Sequence, residues 1–330
     1  MRAYVVESYG TDGLAQAEVP RPTVGRSDVL VEVHAAGINP LDTMVRNGEF
    51  KQLLPYRRPF VLGHDVAGVV VEVGADVDRF SVGDRVFSRP RDLRTGTFAE
   101  LVAIDQADVA PAPASLSTAE AGAVPLVALA AWQALVEVAD VQPGQKVLVH
   151  AGAGGLGSTV VQLARHLGAH VATTARGGDA ERLRALGVDE VVDYTTQDFT
   201  QVLSGYDVVL DSLGGANLTS SLEVLRPGGI AVSVVGPPTP SFARQLGRPV
   251  LAPVMWLLSA RVRARARRLG VRYSFLFMRA DGDRLAQLAA LYDAGVLRPV
   301  LDRTFPFDET LEAVSYVEQG RAKGKVVVVR

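Results

Sequence analysis

Three glycines stand at a spacing that suits the binding of a phosphate group. Gly152, Gly154 and Gly157 form the pattern G-x-G-x-x-G within the stretch HAGAGGLG. The first glycine of such a turn permits a tight bend, the second lets backbone N–H groups approach a pyrophosphate, and the third allows close helix-on-strand packing. Phosphates then meet the positive end of the helix dipole. The predicted dinucleotide-binding turn comprises Gly152, Ala153, Gly154, Gly155, Leu156 and Gly157.

An arginine follows the next predicted strand, where the ribose of a bound dinucleotide would lie. Domains that bind NAD carry an acid at the end of this second strand to accept a hydrogen bond from the ribose 2′-OH. Here the strand ends in Thr173-Thr174-Ala175-Arg176, without an acid. A carboxylate would repel a 2′-phosphate, whereas a guanidinium binds one. The sequence therefore predicts NADP(H). The alternative for the glycines is a structural turn in an α/β domain without a cofactor, and the separate alternative for Arg176 is a solvated loop arginine.

Strands and helices alternate around this turn. The predicted strands are 146–150, 170–175, 190–194, 206–211, 230–236 and 272–277, and the predicted helices between them are 155–167, 180–186 and 216–225. A turn, RPGG, precedes the strand at 230. Strands that alternate with helices of about ten residues indicate right-handed βαβ units and a parallel sheet.

The first 120 residues are different in character. Short β-type runs at 28–37, 65–74, 82–87 and 97–104 predict a compact β-rich domain. A helix is predicted over 117–139, with Ser117 and Glu120 as a capping box and a break or kink at Pro125. The tail adds further helices and strands that end in KVVVV.

Composition excludes several functions. The 330 residues contain no cysteine, so disulfides, thiolate nucleophiles and cysteine-ligated zinc are impossible. The net charge of −2 provides no general basic field for nucleic acid. Neither a signal peptide nor an uncharged apolar run of about 18 residues is present. We therefore expect two folded domains in the cytoplasm.

The order of these motifs resembles a known family. The stretches LGHDVAGVVVEVG, SVGDRVF, AGAGGLGSTVVQLARHLGA, VVDY, DSLGG, RPGG and GKVVV are similar to those of the medium-chain dehydrogenase/reductase superfamily, in its zinc-independent quinone oxidoreductase branch. The resemblance implies an α/β fold with two domains. A GroES-like β-rich catalytic domain would comprise 1–119 and 279–330, and a Rossmann domain with a doubly wound parallel sheet would comprise 120–278.

The resemblance also implies which chemistry remains without zinc. Asn39 stands near the place of the catalytic cysteine of zinc alcohol dehydrogenases, and His64 at the place of their zinc histidine. A lone imidazole cannot make a three-ligand site, so we expect no metal and a structural role for His64. The implied activity is NADPH-dependent hydride transfer to a quinone or an α,β-unsaturated carbonyl compound. Such a reaction needs positioning and hydrogen-bond donors for the developing enolate.

Candidate catalytic residues follow from the segment AAGINPLDTMVRNGEF, which resembles the active-site loop of the family. Asn39 would orient the nicotinamide carboxamide or donate to a substrate oxygen, and Asp42 would act as an orienting group. Capping of the loop by Asx turns is the alternative for both residues. Met44 stands where some members have a tyrosine suspected of proton transfer. The proton would therefore come from water or from Tyr56.

Further positions are implied to surround the cofactor. Thr174, Arg176 and Tyr194 would surround the 2′-phosphate. The cleft would be lined by Leu213, Val235 and Gly236, and Phe277 would offer backbone groups to the nicotinamide amide. Lys325 is a weaker cofactor-binding candidate, with a solvated lysine before a strand as the alternative.

The segment 248–270 is apolar first and basic after. It predicts an amphipathic helix packed on the Rossmann domain or on a partner subunit. A lid that contacts anionic membranes is the sharper alternative. Family members are commonly dimers, so we expect a homodimer. Two other functions stay open, an enoyl-thioester reductase and a non-catalytic NADPH-binding protein.

Overall fold

The computed structural model describes residues 1–330, which form sixteen strands and twelve α-helices. The strands are β1 Arg2–Val6, β2 Leu14–Glu18, β3 Asp28–Ile38, β4 Phe60–Val61, β5 Val66–Val73, β6 Arg85–Ser88, β7 Leu101–Asp105, β8 Val109–Pro111, β9 Lys146–His150, β10 His170–Ala175, β11 Glu190–Asp193, β12 Tyr206–Asp211, β13 Leu225–Ser233, β14 Arg272–Phe275, β15 Leu301–Pro306 and β16 Lys325–Val329. The helices are α1 Pro40–Asn47, α2 Thr118–Ala123, α3 Pro125–Trp132, α4 Gly155–His166, α5 Ala180–Ala185, α6 Phe199–Val202, α7 Gly215–Ser221, α8 Pro240–Gln245, α9 Ala252–Leu258, α10 Ala260–Arg268, α11 Gly282–Asp293 and α12 Thr310–Glu318.

The chain divides into two compact units. Unit 1 comprises Met1–Leu129 together with Arg279–Arg330, and unit 2 comprises Ala130–Met278. The predicted boundary lay earlier, between residues 119 and 120, because the change of composition there coincides with the start of α2. In the structure α2 packs on β3 and β5 and therefore belongs to unit 1.

Unit 2 is built on one six-stranded sheet, with the order β11-β10-β9-β12-β13-β14. Every neighbouring pair in it is parallel, as the alternation of strands and helices predicts. The order reverses between β9 and β12, so the first strand of the unit lies at the centre. In open parallel sheets a ligand generally binds outside the carboxyl ends of the strands, at such a reversal of strand order.

Unit 1 contains two sheets. The larger has seven strands in the order β15-β16-β3-β5-β6-β8, with β7 also paired to β3, and the smaller has the order β2-β1-β4. A cluster of buried aliphatic and aromatic side chains, which includes Val31, Phe98 and Val328, packs within this unit. The last strand, β16, pairs antiparallel with β3 and so joins the two ends of the sequence.

The break predicted at Pro125 in the helix over 117–139 is confirmed, because α2 ends at Ala123 and α3 begins at Pro125. A π-helical stretch, Gln133–Val138, follows α3 and was not predicted. The predicted RPGG turn lies within β13. There the pairing jumps from Leu225 to Ile230 while β12 advances only from Tyr206 to Val208, so the four turn residues bulge from the ladder. The proline and the glycines of RPGG therefore interrupt the strand pairing, as the sequence predicts, although the strand continues on both sides of them.

None of the twelve helices is both long enough and apolar enough to cross a lipid bilayer.

Candidate active site

The glycine turn joins β9 to α4, and close packing explains two of its glycines. A Cβ atom on Gly152 would lie 2.1 Å from Oγ1 of Thr173, and one on Gly157 would lie 2.2 Å from the carbonyl oxygen of Ala151. Both distances are far below a van der Waals contact. Ala151 itself has a φ of +54°, a region that costs an alanine energy. The turn is therefore held in a strained, closely packed conformation.

The N-terminus of α4 is suited to an anion. Gly154 caps the helix without a side chain, and the first turn contains no acid. The first N–H groups of a helix have no acceptor within the helix, and they carry the positive end of its dipole. Gly154 has space around it, since a Cβ there would meet only the Ala151 carbonyl oxygen, at 3.3 Å. This open backbone is what the predicted pyrophosphate contact requires.

A cleft of about 810 Å³ opens at the carboxyl edge of the parallel sheet of unit 2. Its lining includes Ala151 after β9, Thr174 at the end of β10, Tyr194 after β11 and Leu213 after β12. The structure thus brings three of the predicted cofactor residues, Thr174, Tyr194 and Leu213, to one cleft at the reversal of strand order. The position agrees with the general rule for ligand binding in open parallel sheets.

Arg176 and Tyr194 contact each other, although eighteen residues separate them in the sequence. Nε of Arg176 donates to the Tyr194 hydroxyl at 2.9 Å, and both side chains are exposed. One acid of the neighbouring strand, Asp193, lies beside Ala175 in the strand register. The backbone N–H and hydroxyl of Thr195 both donate to its carboxylate. The end of β10 therefore presents the Arg176 guanidinium, while the Asp193 carboxylate accepts hydrogen bonds within its own turn.

His150, at the end of β9, was missed by the sequence analysis. Its ring is fully buried, with Nδ1 3.0 Å from the Thr174 hydroxyl and Nε2 2.8 Å from the Ser221 hydroxyl. Burial lowers the pKa of His150 to about 4, so the ring is neutral at pH 7. The Thr174 hydroxyl is thus engaged by His150, and its predicted contact with the 2′-phosphate stays a prediction.

Asp211 shapes the loop that follows β12 and was also missed. Its carboxylate is fully buried and accepts from the N–H groups of Leu213, at 3.2 Å, and Gly214, at 3.0 Å. It also accepts from the Ser233 hydroxyl at 2.6 Å, and Oγ of Ser233 accepts from the N–H of Gly236 at 2.8 Å. One aspartate and one serine therefore fix both loops that carry predicted cofactor residues.

The remaining predicted positions of unit 2 are Val235 and Phe277. Val235 is exposed next to Gly236, at the end of the loop after β13. Phe277 is buried, with its ring centroid 4.9 Å from that of Phe242. Its carbonyl oxygen accepts from Nε2 of Gln245 at 2.7 Å. That carbonyl is therefore held by a neighbouring side chain, and its predicted contact with a nicotinamide amide stays a prediction.

In unit 1, the residue before α1 begins a buried polar cluster. The Asn39 N–H donates to Oδ2 of Asp42 at 2.7 Å, so the acid at the third helical position reaches back to the helix start. The other oxygen of Asp42 lies 2.6 Å from Nδ1 of His64, and both of these side chains are fully buried. Asp42 thus orients a backbone turn and an imidazole ring at once.

Lys325 and Asp65 hold the side-chain amide of Asn39. Nζ of Lys325 donates to Oδ1 of Asn39 at 2.5 Å and to Oδ2 of Asp65 at 3.2 Å, and Nδ2 of Asn39 donates to the same Asp65 oxygen at 2.9 Å. The other oxygen of Asp65 accepts from the N–H of Leu126 at 2.7 Å. Lys325 is 4% exposed, so the alternative of a solvated lysine is wrong.

Burial raises the pKa of Asp65, and the Lys325 ammonium and the Asn39 amide oppose this rise. Asp65 and Lys325 form a second buried acid–base pair in this cluster, beside Asp42 and His64. Sequence reasoning had no means to find the pair, because a strand near the C-terminus supplies the lysine.

Tyr56 lies in the loop after α1. Its ring stacks on Phe60 with 4.6 Å between centroids, and its hydroxyl accepts from the N–H of Leu93 at 3.2 Å. Burial raises the pKa of Tyr56 above its ordinary value. The hydroxyl therefore keeps its proton at neutral pH, and its predicted role as the proton donor stays a prediction.

The fold and the cleft of unit 2 define a protein that binds a nicotinamide dinucleotide. Family models for an alcohol dehydrogenase GroES-like domain and for a zinc-binding dehydrogenase match residues 25–114 and 186–328. The chain therefore belongs to the medium-chain dehydrogenase/reductase superfamily, with quinone oxidoreductases among its relatives, and it is an NAD(P)H oxidoreductase. The expected GroES-like and Rossmann architecture is confirmed.

Three relatives illustrate the likeness. The mouse (Mus musculus) protein "NAD(P)H oxidoreductase RTN4IP1, mitochondrial" is 34% identical over 99% of this chain and 89% of its own length. The tomato (Solanum lycopersicum) protein "2-methylene-furan-3-one reductase" is 34% identical over 99% of this chain and 79% of its own length. The solved quinone oxidoreductase of Coxiella burnetii is 30% identical, with a TM-score of 0.88, and the match covers 100% of this chain and 99% of that one.

Proposed function

We propose that the chain is an NADPH-dependent reductase that delivers hydride to a quinone or an α,β-unsaturated carbonyl compound without zinc. The observation that carries the proposal is the Arg176–Tyr194 pair beside the cofactor cleft. There a guanidinium stands where NAD-binding domains carry an acid. The substrate class is supported by the name of the tomato relative, which describes the reduction of an unsaturated ketone.

The donor set of the chain supports a reaction without zinc. A catalytic zinc site takes three protein ligands from cysteine, histidine and acidic side chains. This chain has no cysteine, and Nε2 of His64, the ring nitrogen left without a partner, has no second histidine or acid grouped with it as a further ligand. No group of three histidine or acidic side chains is arranged to hold a metal ion. The residues present do not fit the zinc that the family name implies, and the proposed reaction uses none.

The chain's own residues bind and orient the reactants. Bound NADPH supplies the hydride. The N–H groups of the glycine turn hold the pyrophosphate, and Arg176 binds the 2′-phosphate. The Lys325–Asp65 pair fixes the direction of the Asn39 amide, whose second N–H has only a 3.5 Å contact with the carbonyl oxygen of Gly37. That N–H is the proposed donor to a substrate oxygen or to the carboxamide.

The proton that completes the reduction comes from the Tyr56 hydroxyl or from water. The Tyr56 hydroxyl accepts a hydrogen bond from the N–H of Leu93, and donation of its proton to the reduced substrate is the proposed step. A Tyr56→Phe variant separates the two sources. Loss of turnover with unchanged NADPH affinity supports the tyrosine, and unchanged turnover supports water.

The proposal is tested with a panel of acceptors, followed by the absorbance of the reduced nicotinamide. Naphthoquinone, methyl vinyl ketone, crotonaldehyde and crotonyl-coenzyme A are each offered with NADPH and with NADH. We expect NADPH to be consumed with a quinone or a free enone. Faster turnover of the thioester would instead identify an enoyl-thioester reductase. NADPH binding without consumption of any acceptor would indicate a non-catalytic protein and overturn the proposal.

Two further expectations belong with this proposal. A homodimer is proposed because members of the family are commonly dimers. Light scattering of the purified chain measures the mass of the particle directly. The cytoplasm stays the predicted location. Because relatives include proteins named as mitochondrial and chloroplastic, fractionation of cells that express the chain is the appropriate check.

A further inference from the structure

A long part of unit 2 carries charge of only one sign. From Val224 to Ala280 the sequence contains ten arginines and neither aspartate nor glutamate, although acids make up 36 of the 330 residues. The net charge of the whole chain is only −2, so this positive region is a local feature. Such a one-sided charge creates a local field that attracts anions.

The helix α10 presents much of this charge to solvent. Val262 and Ala266, one turn apart, pack on the hydrophobic cluster of unit 2. Arg261, Arg265 and Arg268 follow the spacing i, i+4, i+7 and share another face, which is exposed. Arg265 pairs with Glu223, whereas Arg261 and Arg268 have no acidic partner. The exposed Arg267 and Arg272 also have none.

Apolar side chains are exposed immediately before these arginines. Val250 is 81% exposed, Val254 55% and Leu257 70%, and their spacing places them on one face of α9 and the turn before it. Leu258 and Trp256 are also more than half exposed. Only Met255 of α9 is buried. Most of the apolar side chains of this stretch therefore do not pack on unit 2, and the predicted alternative of packing on a partner subunit stays a prediction.

A tryptophan and an arginine connect the two helices. The Arg263 guanidinium lies 5.0 Å from the centroid of the Trp256 ring and donates to the Trp256 carbonyl oxygen at 2.8 Å. Its Nε donates to the buried Ser259 hydroxyl at 3.0 Å, where α9 ends and α10 begins. The exposed apolar residues and the exposed arginines therefore occupy adjacent, mutually fixed helices. We call the exposed side chains from Val250 to Arg268 the α9–α10 surface.

We propose that the α9–α10 surface binds the anionic face of a lipid bilayer. Exposed leucine, valine and tryptophan next to unpaired arginines are the composition of helices that lie in the membrane interface. The apolar side chains enter the boundary between headgroups and acyl chains, and the arginines contact lipid phosphates. Because no helix can span the membrane, the contact is peripheral.

A second copy of the chain suits this surface less well. A two-fold interface places the same patch on itself, so the unpaired arginines of one copy would face those of the other. With no acid between residues 224 and 280, the patch itself offers no complementary charge. A lipid surface supplies both the negative charge and the apolar layer.

The test is co-sedimentation of the full chain with vesicles. We compare pure phosphatidylcholine with an equal mixture of phosphatidylcholine and phosphatidylglycerol. We expect binding to the anionic vesicles alone, weakened by added salt. The triple variant Arg261→Gln, Arg267→Gln, Arg268→Gln is expected to lower the partition coefficient by roughly a hundredfold. Free inorganic phosphate should not compete at millimolar concentration if the bilayer itself is required.

A matched control removes three exposed arginines elsewhere, as Arg57→Gln, Arg184→Gln, Arg321→Gln, and should bind vesicles nearly as the natural chain does. The variant Leu257→Ser, Leu258→Ser tests the apolar half and should weaken binding even at low salt. Equal effects of the two arginine variants, or no vesicle binding by the natural chain, overturn the proposal. The proposal is also overturned if the natural chain forms a concentration-dependent dimer that the Leu257→Ser, Leu258→Ser variant dissociates. Saturable binding of an acidic protein together with no binding of lipid would overturn it as well.

Discussion

Replacing Lys325 by methionine tests the buried pair of unit 1. Methionine keeps an unbranched side chain and removes the ammonium, which leaves Asp65 fully buried beside only Asn39 and the N–H of Leu126. Removing one partner of a buried ion pair costs about 3–5 kcal/mol. The two remaining hydrogen bonds to Asp65 favour the lower end, so we expect a loss of about 3 kcal/mol in the free energy of unfolding at neutral pH.

The pH dependence of this loss has a definite sign. Burial raises the pKa of Asp65, so the folded chain holds that proton more tightly than the unfolded chain does. The free energy of unfolding therefore falls as the pH rises from the ordinary pKa of an aspartate through the raised pKa of the folded state. Without the Lys325 ammonium the pKa of Asp65 in the folded chain rises further. The fall in the free energy of unfolding then extends to higher pH, with a slope of at most about 1.4 kcal/mol per pH unit.

Hydrogen exchange is the appropriate assay, because two units of one chain can unfold separately. Peptides from β3 and β16 report the opening of unit 1, measured at about pH 5 and about pH 8. Lys51→Met, at an exposed position of the same unit, is the matched control. The double variant Asp65→Asn, Lys325→Met should recover part of the loss. A loss below about 1 kcal/mol, or one equal at both pH values, would refute the reasoning.

Three further results are expected. Arg176→Ala should weaken NADPH binding by about ten- to a hundredfold in a fluorescence titration and leave NADH nearly unchanged, and equal losses would contradict the phosphate role. Gly157→Ala should destabilise unit 2 by about 3 kcal/mol in chemical denaturation, because its Cβ would lie 2.2 Å from a carbonyl oxygen, whereas Gly178→Ala, which meets nothing within 4 Å, should be nearly neutral. His150 is neutral in the folded chain and protonates more readily when unfolded, so stability should fall by about 3 kcal/mol as the pH drops from about 6.5 to about 4. His150→Gln should flatten this dependence in calorimetry and the exposed His166→Gln should not; an unchanged slope in His150→Gln would refute the assignment.

Local patterns in the sequence predict most of the fold of unit 2. The strands β9 to β13 each appear as a short apolar run bounded by glycine or a polar turn, and the helices between them follow a 3.6-residue period. The glycine turn and Arg176 were found because their chemistry depends on residues close together in the chain. The partner of Arg176, Tyr194, came from the resemblance to the family and not from any local pattern.

The buried networks could not be predicted in the same way. His150 contacts Ser221 across 71 residues, and Asn39 contacts Lys325 across 286. A single sequence carries no local signal for such pairs, since each residue alone resembles an ordinary strand end or a solvated charge. The sequence left open what covers the apolar face of α9 for a related reason, because apolar spacing indicates that a face is covered and does not say by what.

The pairing of β16 with β3 affects the order in which the polypeptide acquires its structure during synthesis. Unit 2 is continuous, from Ala130 to Met278, and leaves the ribosome before β16 has been made. The segment Met1–Leu129 is therefore made while the end of β3 lacks its partner strand and the Asp65 carboxyl lacks its counter-ion. Unit 2 can thus fold before unit 1 is complete, and until β16 has been made the sheet of unit 1 is the part that most needs protection by a chaperone.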